Sequence, residues 1–118
     1  MPDQTWAAED DTVTEVLIDS AIPMISGDYN YLVLKVHWET VGLNTVVVTG
    51  YLMGIEFFQD TVTAGYNTRV FHHKSPLSKV DINVHLKHGH EVWVDGQVCL
   101  WAAWKWICKG FEAFLVRI

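Results

Sequence analysis

The strongest constraint in this chain is a period of two. In "KVDINVHLKH", residues 79 to 88, Val80, Ile82, Val84 and Leu86 alternate with Lys79, Asp81, Asn83, His85 and Lys87. An extended backbone puts every apolar side chain of that run on one side. "YLVLKVHWE" repeats the pattern, with Leu32, Leu34, Val36 and Trp38 set against Tyr31, Lys35, His37 and Glu39. Neither run suits an amphipathic helix, whose apolar positions recur every three or four residues. Both read as half-buried strands that need a second apolar surface to cover them.

Further segments rich in β-branched and aromatic residues extend the reading: "TVTEVLI", "NTVVVTGYLM", "IEFF", "TRVFHH", "HEVWV", "QVCLW" and "FEAFLVRI". Between them stand turn signals, "SGDYN", "TVGLN", "TAGYN", "KSPLS", "HGH", "VDGQ" and "CKG". Seven to nine short strands and no long helical pattern predict an all-β chain, a single antiparallel β-sandwich with a small β-barrel as the alternative. The 118 residues fit one domain, 1–118, in which residues 1–11 read as a flexible acidic segment.

Charge narrows the partners. The formal net charge is −6 with neutral histidines, which argues against a sequence-independent grip on nucleic acid. No apolar run approaches the length of about 18 residues that a membrane-spanning helix needs. The start of the chain has neither the basic nor the apolar part of a secretory signal, so a cytoplasmic protein, or one released without such a signal, is expected. Most of the six histidines follow Lys and Arg in sequence, and positive surroundings disfavour the imidazolium, so stability should fall on acidification.

Four of the six tryptophans, Trp93, Trp101, Trp104 and Trp106, fall within fourteen positions. Asp95-Gly96 reads as a two-residue hairpin turn that pairs Val94 with Gln97 and Val92 with Cys99. Both faces of that hairpin are apolar, so one is left for a subunit, for the rest of the chain or for a ligand; a homo-oligomer is expected. "HEVWVDGQVCLW", read this way, resembles the back-sheet hairpins of lectin-like sandwiches over a dozen residues, without the run of sugar-binding residues that marks galectins. The following "WAAWKWICKG" fits a strand, or a short helix ending at Gly110. A turn at Ala102-Ala103 leaves Cys99 and Cys108 out of register, and both thiols are expected to be free.

No phosphate loop, nucleophile elbow or cysteine-histidine signature is present, so no catalytic residue and no cofactor are assigned. His88 and His90, with His85, His72 and His73, have metal-ligating side chains but no ordered ligand motif, and are read as surface histidines. The expected function is a non-enzymatic, carbohydrate-binding module: Trp93, Trp101, Trp104 and Trp106 stack on a sugar, and His88, His90, Glu91 and Asp95 supply hydrogen bonds. The alternatives are a small barrel enzyme using His37, Glu39 or Glu56 as acid-base groups, and an assembly protein using its apolar face.

Overall fold

The computed structural model describes residues 14–17 and 23–118; the acidic segment 1–11 and the rest of "TVTEVLI" around Thr14–Leu17 lie outside them. Nine strands occur among these residues: β1 Thr14–Leu17, β2 Pro23–Tyr31, β3 Leu34–Gly42, β4 Thr45–Leu52, β5 Ile55–Thr63, β6 Arg69–Lys74, β7 Ser78–Lys87, β8 Glu91–Ala102 and β9 Lys105–Arg117. They form two antiparallel sheets, β1-β2-β3-β4-β5 and β6-β7-β8-β9, in which spatial order equals chain order. The fold is therefore a β-sandwich, with the barrel alternative excluded by two separate open sheets. None of the described residues is helical.

The period of two decides which face is inside. Val80, Ile82 and Val84 of β7, with Val92, Val94 and Val98 of β8, are buried against Leu34, Val36, Trp38, Val46, Val48, Leu52 and Val62 of the facing sheet. Each fully buried aliphatic side chain contributes about 1.5–3 kcal/mol relative to exposure. Aromatic pairs close the two flanks. Phe58 of β5 stacks on Phe71 of β6 at 4.2 Å between centroids, and Tyr29, Tyr31 and Phe111 join β2 to β9. Trp38 fits because Gly27, opposite it on β2, has no side chain; a Cβ there would come within 2.7 Å of the indole. The Trp38 indole nitrogen is buried without a hydrogen-bond partner among the described residues.

At the opposite flank Asp60 accepts a 2.5 Å hydrogen bond from the Tyr66 hydroxyl. Burial, and then the Asp60 carboxylate, push the Tyr66 hydroxyl well above the usual phenol range.

Several turn assignments are corrected. Asp95 and Gly96 are not a turn: they sit inside the continuous strand β8, where Gly96 pairs with Ile82 on one side and Phe111 on the other. Glycine is required there for space and conformation, since its φ is 148° and a Cβ would lie 2.0 Å from the Asp81 carbonyl oxygen. "HEVWV" and "QVCLW" are one strand, and the resemblance to lectin-like back-sheet hairpins falls with the turn it was built on. "SGDYN" and "CKG" also lie within strands, β2 and β9. Leu32, expected inside, is an exposed turn residue.

The β8–β9 hairpin turns instead at Ala103-Trp104, both with positive φ, 51° and 66°. This places Trp101 opposite Trp106 and Cys99 opposite Cys108. With Cα atoms 4.0 Å apart, the two cysteines form a disulfide, so the expected free thiols and the turn at Ala102-Ala103 are both overturned. The two-residue turn makes both pairs non-hydrogen-bonded, the position where side chains approach most closely. The gain from the cross-strand tryptophans and the covalent bond outweighs the cost of two non-glycine residues at positive φ. A disulfide lends no support to the cytoplasmic placement expected from the start of the chain.

Candidate functional site

The outward face of the β6–β9 sheet is the polar half of the same alternation. On β7 it presents Asp81, Asn83, His85 and Lys87; on β8, Glu91, Trp93, Asp95 and Gln97; on β9, Glu112 and Phe114. A register shift beside Trp93 sets it opposite Phe114, and the two rings meet edge to face at 5.6 Å. Lys87 reaches over the Trp93 ring, its Nζ 4.1 Å from the centroid, and donates a 3.0 Å hydrogen bond to Glu112.

The polar groups around Trp93 are held by one another. Asn83 Nδ2 donates to Asp95 Oδ1 at 2.7 Å. His85 Nε2 lies 2.9 Å from Asp95 Oδ2, close enough for an ion pair but without the alignment of a hydrogen bond. The Trp93 indole donates to Glu91 at 3.1 Å, while His88 and Arg117 each approach the same carboxylate at 3.2 Å. The hydrogen bond from Trp93, then that from His88 and, more weakly, that from Arg117 hold the Glu91 carboxyl at about 2, against the upward push of burial.

Of the eight residues expected in one site, the fold brings together Glu91, Trp93 and Asp95, with His88 at the edge. His90 is an exposed turn residue whose Nδ1 donates to the His88 carbonyl. Trp101, Trp104 and Trp106 stand at the other end of β8–β9, about 27 Å along the strand from Trp93. None of these four tryptophans is in the core; the buried one among the described residues is Trp38. Asn83, His85, Lys87, Glu112 and Phe114 were missed, although the polar side of "KVDINVHLKH" already held the first three.

Other expectations also change. Both faces of the supposed Asp95-Gly96 hairpin were apolar only in the wrong pairing; from Glu91 to Gln97 the outward side of β8 holds one aromatic residue, Trp93, among Glu91, Asp95 and Gln97, so the spare apolar face that implied a partner subunit is absent there. Four of the six histidines meet carboxylates rather than lysines and arginines: His37 with Asp28 at 2.7 Å and Glu39 at 3.3 Å, His72 with Asp81 at 2.5 Å, His85 with Asp95 and His88 with Glu91. For these four the premise of positive surroundings is reversed. Among the described residues, no group of three or more His, Cys, Asp or Glu side chains is placed to hold a metal. His37 and Glu39 lie on the outer face of the β1–β5 sheet and Glu56 is exposed, so none lines an internal pocket.

The fold and this face define an antiparallel sandwich of two consecutive meanders with a polar, aromatic outer sheet. Comparison of the chain with known protein families, with curated proteins and with solved structures finds no match.

Proposed function

We propose that the protein is a non-enzymatic binding module that takes a carbohydrate on the outer face of the β6–β9 sheet. The observation that carries this reading is the juxtaposition of the half-buried Trp93 ring with hydrogen-bonded Asn83, Asp95 and Glu91 on one rigid sheet. A pyranose has apolar C–H faces and a rim of hydroxyls. It would lie against Trp93 in place of the Lys87 ammonium, with its hydroxyls facing Asn83, Asp95 and Glu112. Side chains already fixed by mutual hydrogen bonds lose little freedom on binding, which favours recognition of a weakly binding polar ligand.

The test is a glycan array followed by calorimetry on the best ligand. Trp93→Ala should abolish retention, and Trp104→Asn, at the far end of the hairpin, should leave it unchanged. An array with no retained glycan, or a Trp93→Ala variant that binds as well as the parent, overturns the proposal.

A further inference from the structure

One end of the sandwich is built differently from the other. Four connections meet there: the β2–β3 turn, the β4–β5 turn, the β6–β7 loop and the β8–β9 turn. They are tied together by the Met53 amide to the Val33 carbonyl, the Ser78 hydroxyl to the Met53 sulfur and the Trp101 amide to the Leu77 carbonyl. Each presents a large exposed apolar side chain: Leu32 at 50 %, Met53 at 53 %, Leu77 at 57 % and Trp104 at 89 % relative exposure. Ile55 and Ile107 add to the same end.

Backbone conformation separates the two ends. At the opposite end the positive-φ turn positions hold Asn44, His88 and glycines, and Asn, His and Gly tolerate that conformation. At this end the same conformation is taken by Leu32, Met53 and Trp104, with φ of 55°, 52° and 66°. Placing bulky apolar residues where asparagine or glycine is easier costs stability at each site and leaves the side chain in solvent. Folding does not require it.

Charge adds a second signal. Of the eight Lys and Arg in a chain of net charge −6, Lys35, Lys74, Lys79 and Lys105 lie within two residues of these connections. Glu56 is the one carboxylate similarly placed among the described residues. Lys74 and Lys79 reach over the Trp106 ring, at 5.7 and 4.7 Å, and Trp106 packs on Trp101. From the tip backward the order is apolar side chain, tryptophan, lysine. A bilayer has the complementary order: hydrocarbon, interface, anionic headgroup.

We propose that this end of the sandwich docks on anionic phospholipid surfaces, inserting Trp104, Leu32, Met53 and Leu77 while Lys74, Lys79 and Lys105 meet the phosphates. A protein partner suits the geometry less well. The apolar groups are separate points on four turns rather than one continuous face, and a fluid surface accommodates separate points without shape complementarity.

The experiment is flotation of the oxidised full chain with vesicles of phosphatidylcholine, alone or with phosphatidylserine, read together with tryptophan emission. Binding to the phosphatidylserine vesicles with a blue shift, weakened by salt, is expected. Lys74→Gln with Lys105→Gln should weaken it by about 25-fold, since each lysine near an anionic surface is worth about fivefold in partition. The triple variant Leu32→Asn, Met53→Asn, Trp104→Asn should bind at least about tenfold more weakly while keeping its melting temperature within a few degrees, because asparagine suits the three turn positions and the Ser78 hydroxyl released by Met53 keeps Ser75 as a partner. No binding to either vesicle overturns the proposal, as does equal binding to both, or a triple variant that floats like the parent. Light scattering that finds an oligomer dispersed by the triple variant reassigns this end to a subunit interface and also overturns it.

Discussion

Breaking the Cys99–Cys108 bond gives the most direct test of how the tryptophan-rich hairpin folds. The two residues are separated by nine positions, closing a loop of ten residues. For such a loop the chain-entropy relation gives about 2.7 kcal/mol at 25 °C, through restriction of the unfolded chain. A domain of 118 residues unfolds with an entropy of about 0.25 kcal/mol per kelvin near 60 °C, so the loss corresponds to a fall of about 11 °C in melting temperature. The assay is differential scanning calorimetry of the same protein with and without reductant, beside a Cys99→Ala/Cys108→Ala chain. Cys99 is buried, so alanine is preferred to serine, which would bury a hydroxyl. Mass spectrometry after alkylation without reductant should find neither cysteine modified. Two alkylated cysteines, or a reductant shift below about 3 °C, would refute both the disulfide and the Ala103-Trp104 turn that aligns it.

Two further outcomes follow from single residues. Gly96→Ala should lower unfolding stability by about 3–5 kcal/mol, the strain of its φ added to the overlap with the Asp81 carbonyl; a urea midpoint implying under about 1 kcal/mol would show that β7 and β8 are not so close. The Glu91 carboxyl is depressed to about 2 from an ordinary 4.5, so the stability it contributes is present above the ordinary value and lost as pH falls toward the depressed one. Thermal melts between about pH 5 and pH 2 should therefore decline more steeply for the parent than for Glu91→Gln, and parallel curves would count against the Trp93–Glu91–His88–Arg117 cluster.

The strands were legible because alternation follows directly from the pleat: Val80, Ile82 and Val84 went inward and Asp81, Asn83 and His85 outward as their spacing requires. What failed was the reading of glycine. Gly27 serves by lacking a Cβ where an indole presses in, and Gly96 by lacking one where a carbonyl does as well as by its φ, whereas a turn glycine serves by its φ alone, and a single sequence does not distinguish these uses. The misplaced Asp95-Gly96 turn broke β8 in two and misassigned the faces of its tryptophans, and the separate placement of the next turn one residue early, at Ala102-Ala103, lost the cysteine pairing. The true turn, Ala103-Trp104, has no residue that favours positive φ, and only the pairings behind it account for it. Leu32 failed for a related reason, since an apolar residue in an alternating run is assigned to the core unless something marks the turn. The candidate site was half visible: Glu91, Trp93 and Asp95 share a strand, while Asn83, His85 and Glu112 join them only through cross-strand pairing.

The order of the strands has a consequence for how the chain acquires its structure. Greek-key sandwiches must close a long connection before distant strands can pair, which makes them slow to fold. Here every ladder joins neighbours in sequence, and the connections from β2 to β9 are short enough to close at small entropic cost. The five-stranded sheet has all its backbone partners by Thr63, before the first residue of β6 is needed. On a ribosome this half emerges complete, with one apolar face awaiting its cover. The second meander then grows hairpin by hairpin onto a template, and residues 64–68 are the link across which the two halves meet.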